Sequence, residues 1–201
     1  MSDLTYEPVG GEQAADQVGE LEAVYREVYG EPPYEWGEEH ARLFRERFAV
    51  QCRQEGFRLV TARDGGRLVA FGFGVTLRPT TPWWRDLVTP LPEEVTTERP
   101  GRTWALVELL VRVPWRRRHV AETIHDMLLA GRPEERATLT VLPAAAPAVA
   151  AYRKWGWRKV GEKRNPLPGA PVFAVMLREL TSSGGQAGSP GSSRCGSRSL
   201  S

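Results

Sequence analysis

Glu108 is a lone carboxylate in the run Trp104–Val113, where every other residue except Arg112 is apolar. A strand that carries a carboxylate into the interior disfavours its charged form, so its pKa rises toward neutrality, where a general base works best. Arg112 lies four residues along at ~3.3 Å per residue, too far to neutralise it without a bend. The alternative is a buried Glu108 paired with a basic side chain from elsewhere. Just beyond the run come Arg116, Arg117 and Arg118, then His119 and a helical pattern with Val120, Ile124, Met127 and Leu128 on one face. No Ser, Thr, Asp or Asn precedes Val120 to take up the first free amides of that helix. Three cations also oppose its dipole. A phosphate or pyrophosphate satisfies amides and arginines together; a solvated basic turn is the bland alternative.

Several elements must position these groups. Leu4–Val9 reads as a short strand, Glu12–Tyr29 as a helix striped by Val18, Leu21, Tyr25 and Val28, and Glu38–Gln54 as a second helix with Leu43, Phe44, Phe48 and Val50 inward. The connector holds Pro32, Pro33, Tyr34 and Trp36. Phe57–Ala62 and Arg67–Leu77 form a hairpin around Asp64-Gly65-Gly66. Gly72 and Gly74 precede no helix, so they read as sites of close packing or a bend. Arg78–Gly101 contains five prolines and Trp83-Trp84, too long for a turn and suited to a functional loop. Trp104–Val113 and Ala137–Leu142 are buried strands, Pro147 opens and Gly156 closes a helix, and Trp157–Glu162 and Val172–Leu180 are final strands. Strand and helix alternate through the second half, which makes the sheet mixed.

Two stretches carry a resemblance. Arg116-Arg117-Arg118-His119-Val120-Ala121 resembles motif A of the GCN5-related N-acetyltransferases, Arg/Gln-x-x-Gly-x-Gly/Ala, with His119 and Arg117 at positions usually or often glycine. Ala151-Tyr152-Arg153-Lys154-Trp155-Gly156-Trp157 resembles that family's motif B, with Trp157 for the usual Phe and Ala145 where an Asn often stands. The resemblance spans about Glu12 to Leu180. It implies an α/β (α+β) fold with a mixed sheet of six to seven strands flanked by about four helices, and an acetyl-CoA-dependent N-acetyltransferase acting by direct attack of an amine. It implies Glu108 as base, Tyr152 as the acid that protonates the departing thiolate, and the loop from Arg116 to Ala121 around the pyrophosphate. Leu110, Val111 and Val113 match strand positions beside the pantetheine arm. Tyr34, Trp36, Trp83 and Trp84 are candidate walls of the acceptor site, although each pair has a plain packing role open to it.

Composition bounds the rest. A chain of 201 residues with net charge +2 suits one domain, residues 1–180, followed by a Ser/Gly-rich tail, residues 181–201, expected to be disordered. The small charge argues against a nucleic-acid partner, the rival suggested by Arg112 and Arg116–Arg118. Cys52 and Cys195 match no metal or disulfide framework, and no metal is expected. The N-terminus has no signal-peptide pattern and no stretch approaches the ~20 apolar residues of a membrane span. A cytoplasmic monomer or homodimer is expected, acting on a small-molecule or protein amine. A non-catalytic acyl-CoA-binding or regulatory module of the same fold is the alternative.

Overall fold

The computed structural model describes residues 4–164 and 171–180; the expected tail at 181–201 lies outside them. The chain runs β1 (Leu4–Val9), α1 (Gly11–Asp16), α2 (Val18–Tyr29), α3 (Glu38–Gln51), β2 (Arg58–Asp64), β3 (Arg67–Thr76), α4 (Glu93–Thr96), β4 (Thr103–Val111), α5 (Val120–Leu129), β5 (Arg136–Val141), α6 (Ala146–Lys154), β6 (Arg158–Arg164) and β7 (Val172–Glu179). The seven strands form one sheet in the order β1-β2-β3-β4-β5-β7-β6. All neighbours are antiparallel except β4 and β5, so the mixed sheet is as expected. The first helix differs from the sequence reading. It breaks at Gln17 into α1 and α2, which lets Ala14 and Leu21 both enter the core.

Alternating apolar residues feed two cores, one on each face of the sheet. On one, Leu21, Val24 and Tyr25 of α2 and Phe44 and Phe48 of α3 pack on Leu59, Phe71, Phe73 and Leu110. Val50 does not join them; it lies past the inward stripe and is 62% exposed. On the other face, Val120, Ile124 and Leu128 of α5 and Tyr152 of α6 pack on Val60, Trp104, Leu106 and Leu139. The β2–β3 turn has positive φ at both Gly65 and Gly66, the conformation a tight two-residue hairpin requires. A Cβ at Gly72 would come within 3.0 Å of Ile124, Leu109 and Leu128, so glycine there lets α5 settle onto the sheet.

Residues 78–101 form a layer. Trp83 donates its indole N–H to Thr138 Oγ1 at 3.2 Å, and Trp84 donates to Glu98 Oε1 at 2.9 Å. The Val88 amide bonds the Glu162 carbonyl and the Arg164 amide bonds the Asp86 carbonyl, both at 2.9 Å, so the loop edges β6. It also lies over Gly161 of β6, where a Cβ would come within 3.2 Å of Leu91. Among the described residues no helix is long and apolar enough to cross a membrane.

Candidate active site

β4 and β5 pair only at Thr103–Arg136, Trp104–Ala137 and Ala105–Thr138. Beyond these residues the strands part, and a cleft of about 620 Å³ opens between them. Leu106 to Val111 form one wall and Leu139 to Val141 the other, with the α2–α3 connector, the start of α5 and helix α6 closing the ends. Two parallel strands that stop pairing leave backbone groups free for a ligand that lies along them.

Glu108 enters this cleft because of a bulge. Phe73 pairs with Glu108 but Gly74 pairs with Leu106, which leaves Val107 as an extra residue on β4. Trp104 and Leu106 belong to the α5 side, whereas Val107 and Leu110 belong to the α2–α3 side. The bulge thereby turns Glu108 toward α2, where the Tyr29 hydroxyl donates to Glu108 Oε2 at 2.6 Å. Gly74 permits this, since a Cβ there would meet the Ala105 carbonyl at 2.2 Å and the Trp104 indole. Burial pushes the Glu108 carboxyl up to about 7, against the opposing pull of the Tyr29 hydrogen bond and the Arg47 charge. Its group is thus half-ionised near neutrality.

Three phenols surround it. Burial and the Glu108 charge hold the Tyr29 hydroxyl well above its ordinary range. The same two causes raise Tyr34 to about 12. Tyr152, 9% exposed, is raised by burial and then by the nearby Tyr34 and Glu108. Tyr152 therefore keeps its proton throughout the neutral range. Tyr29, Tyr34 and Trp36 pack with ring centroids 4.5–5.1 Å apart. Tyr34 lines the cleft, while Trp36 sits behind the two tyrosines and stacks on His40. Tyr29 was missed as a site residue in sequence; its one signal is its place at i+4 from Tyr25, at the end of the helix.

At the other end lies the basic turn. Helix α5 has no side-chain cap at its N-terminus. Arg117 and His119 both have φ of 59°, the left-handed conformation that suits glycine, so the loop follows a glycine path with side chains attached. Arg117, His119, Val120 and Ala121 line the cleft, as does Arg116, which donates Nε–H to the Val111 carbonyl at 3.0 Å and pairs with Glu31 at 3.1 Å. Arg118 is exposed and does not line it. Glu122 ties this end together, meeting the His119 ring at 2.6 Å and accepting from the Trp155 indole at 3.1 Å. Its carboxyl is held below the usual range, chiefly by the His119 contact.

The structure separates other candidates from the cleft. β4 ends at Val111, because Arg112 makes its last bond to the Val69 carbonyl and Pro114 cannot donate. Val113 therefore leaves the strand expected for it; it opens a 3-10 turn, Val113–Trp115, and is 47% exposed. Leu110 and Val111 do line the cleft. Trp83 and Trp84 do not; their indoles are spent on Thr138 and Glu98. His125 is fully buried, with Nδ1 on Asp126 and Nε2 accepting from the Trp157 indole at 3.0 Å, a packing role. Among the described residues no cluster of His, Cys, Asp and Glu is placed to hold a metal ion.

Comparison with known proteins places this geometry. Residues 21–157 match the acetyltransferase (GNAT) family, more than half of the 201 residues. No curated protein matches the sequence. Among solved structures, the chain is similar to the ribosomal-protein-S18-alanine N-acetyltransferase from Escherichia coli, at 13% identity over 89% of this chain and 95% of that one, TM-score 0.59. It is similar to an aminoglycoside 6′-acetyltransferase type Ii at 17% identity over 88% and 97%, TM-score 0.60. It is also similar to the PaiA N-acetyltransferase from Thermoplasma acidophilum in complex with coenzyme A, at 12% identity over 88% and 99%, TM-score 0.56. At such identities the likeness is one of fold. With the family match spanning the parted strands, the basic turn and Tyr152, the chain belongs to the acetyltransferase (GNAT) family, enzymes that move an acetyl group from acetyl-CoA to an amine.

Proposed function

We propose that this chain transfers the acetyl group of acetyl-CoA directly to an amine bound beside Glu108, with Glu108 as general base and Tyr152 as general acid. The observation that carries this reading is the parting of β4 and β5, which sets a buried carboxylate and a protonated phenol into one gap that ends at an uncapped helix. The residues suit acetyl-CoA: the α5 amides and Arg117 match its pyrophosphate, and the edge of β4 toward Leu110 and Val111, which β5 leaves unpaired and where Arg116 takes the Val111 carbonyl, matches its amide-bearing arm. When bound, acetyl-CoA supplies an activated thioester carbonyl.

An amine reaches the site mostly as an ammonium ion and attacks only after losing a proton. Glu108, ionised above about pH 7, accepts that proton and passes it to solvent. The N–C bond forms as the C–S bond breaks. Tyr152 gives its proton to the departing sulfur and regains one from the acylated nitrogen, so two protons leave nitrogen and one stays with the thiol. The carboxylate loses proton affinity when Tyr29 donates to it, which keeps its pKa near neutrality instead of higher.

Calorimetric titration with acetyl-CoA, followed by thiol release in the presence of amines, tests this. Arg117→Ala is expected to weaken acetyl-CoA binding by about tenfold. Tyr152→Phe is expected to lower kcat by roughly 10²-fold while leaving acetyl-CoA affinity intact. Acetyl-CoA binding without turnover of any amine would leave only the acyl-CoA-binding module.

A further inference from the structure

The acceptor end of the cleft has an unusual charge balance. Two carboxylates line the cleft among the described residues, Glu108 and Glu122. Glu122 is already engaged by His119, Lys154 and the Trp155 indole. Glu108 is thus the sole carboxylate there with room for an incoming cation. The other charged residues lining the cleft are Arg116, Arg117 and Lys154, which repel a cation. On the Glu108 side the wall is aromatic: Tyr29 donates to the carboxylate, Tyr34 packs on Tyr29, and Pro32 and Pro33 also line the cleft.

These observations speak to what the site accepts. One ammonium group is satisfied by the Glu108 carboxylate and by the Tyr34 ring, which lines the cleft, since an aromatic ring attracts a cation placed over it. A second ammonium on the same molecule would lose its water against Pro32, Pro33 and the aromatic rings with no counter-charge, or would meet the arginines. An apolar or aromatic body, in contrast, gains by burial on the same wall. Resting on the transfer reading above, we infer that the acceptor is a compact primary amine carrying a single positive charge on an aromatic or apolar body, and that polycations such as polyamines and aminoglycosides are rejected.

The experiment compares 2-phenylethylamine, spermidine and kanamycin as acceptors in the thiol-release assay, with acetyl-CoA binding measured separately by calorimetry. The expected result is a kcat/KM at least about tenfold higher for 2-phenylethylamine than for either polycation. Tyr34→Ala should then raise KM for 2-phenylethylamine by about tenfold and leave the acetyl-CoA Kd unchanged. Equal or faster turnover of spermidine or kanamycin overturns the acceptor class and leaves acetyl transfer standing. A Tyr34→Ala enzyme with unchanged KM also overturns it, because the aromatic wall would then play no part in recognition. No thiol release with 2-phenylethylamine, while acetyl-CoA binds, overturns the acceptor class; acetyl transfer itself falls only if no amine, a lysine peptide included, releases thiol.

Discussion

At the scale of single residues, Glu108 carries opposing demands from folding and chemistry. Its folded-state value of about 7 lies above the ordinary 4.5, so the folded chain holds this proton more tightly than the unfolded chain. The sign follows: stability from this group is full below about pH 4.5 and is lost as pH rises through 7, leaving a penalty of about 3 kcal/mol above it. Glu108→Gln keeps the shape and still accepts from Tyr29, yet carries no charge. The variant should melt several degrees higher than the parent at pH 8, with the difference gone near pH 4.5, by scanning calorimetry at both pH values. It should also lose the rise in kcat/KM through about pH 7 that the parent shows. A pH–rate profile unchanged by the substitution would remove Glu108 from the role of base. The candidate base was legible because a lone carboxylate in an apolar strand is a conspicuous exception. Its partner was not, since Tyr29 is 79 residues away in sequence and only the fold brings them together.

At the scale of elements, the informative feature is the turn into α5. Sequence shows its basic charge and missing cap, and both persist in the structure. Sequence does not show its path. Left-handed backbone costs a side-chain-bearing residue roughly 1–2 kcal/mol, and Arg117 and His119 both adopt it. Glycine would relieve that strain while giving back part of the gain as unfolded-state entropy. His119→Gly is therefore expected to stabilise the fold by about 0.5–1 kcal/mol in denaturant titrations, with acetyl-CoA bound at least as tightly. A loss of stability would mean that the His119–Glu122 contact outweighs the strain. The end of β4 differs from the sequence expectation for a related reason. Apolarity continues to Val113, but pairing stops where Arg112 meets Val69 and Pro114 follows. The Val107 bulge left a trace only on the partner strand, at Gly74.

At the scale of the whole molecule, the long segment 78–101 decides how the second half of the sheet is covered. Its prolines and paired tryptophans suggested a loop over the acceptor site, because composition reports that a segment is irregular and says nothing of which surface it meets. The structure fastens it with a buried ion pair. Arg136 Nη2 lies 3.0 Å from Glu98 Oε1, with side chains 6% and 1% exposed. That oxygen also accepts from Thr103 and the Trp84 indole. The pair sits where β4 and β5 are still joined, at Thr103 and Arg136, on the closed side of the cleft. Glu98→Ala would strand the Arg136 charge in the interior, a change that typically destabilises by roughly 3–5 kcal/mol. The expected result is a large fall in Tm with the acetyl-CoA Kd unchanged, read at a temperature where the variant is folded. A mobile cover would behave in the opposite way, with ligand affinity altered and Tm barely moved. Loss of affinity without loss of stability would therefore return segment 78–101 to the substrate site and take it out of the scaffold.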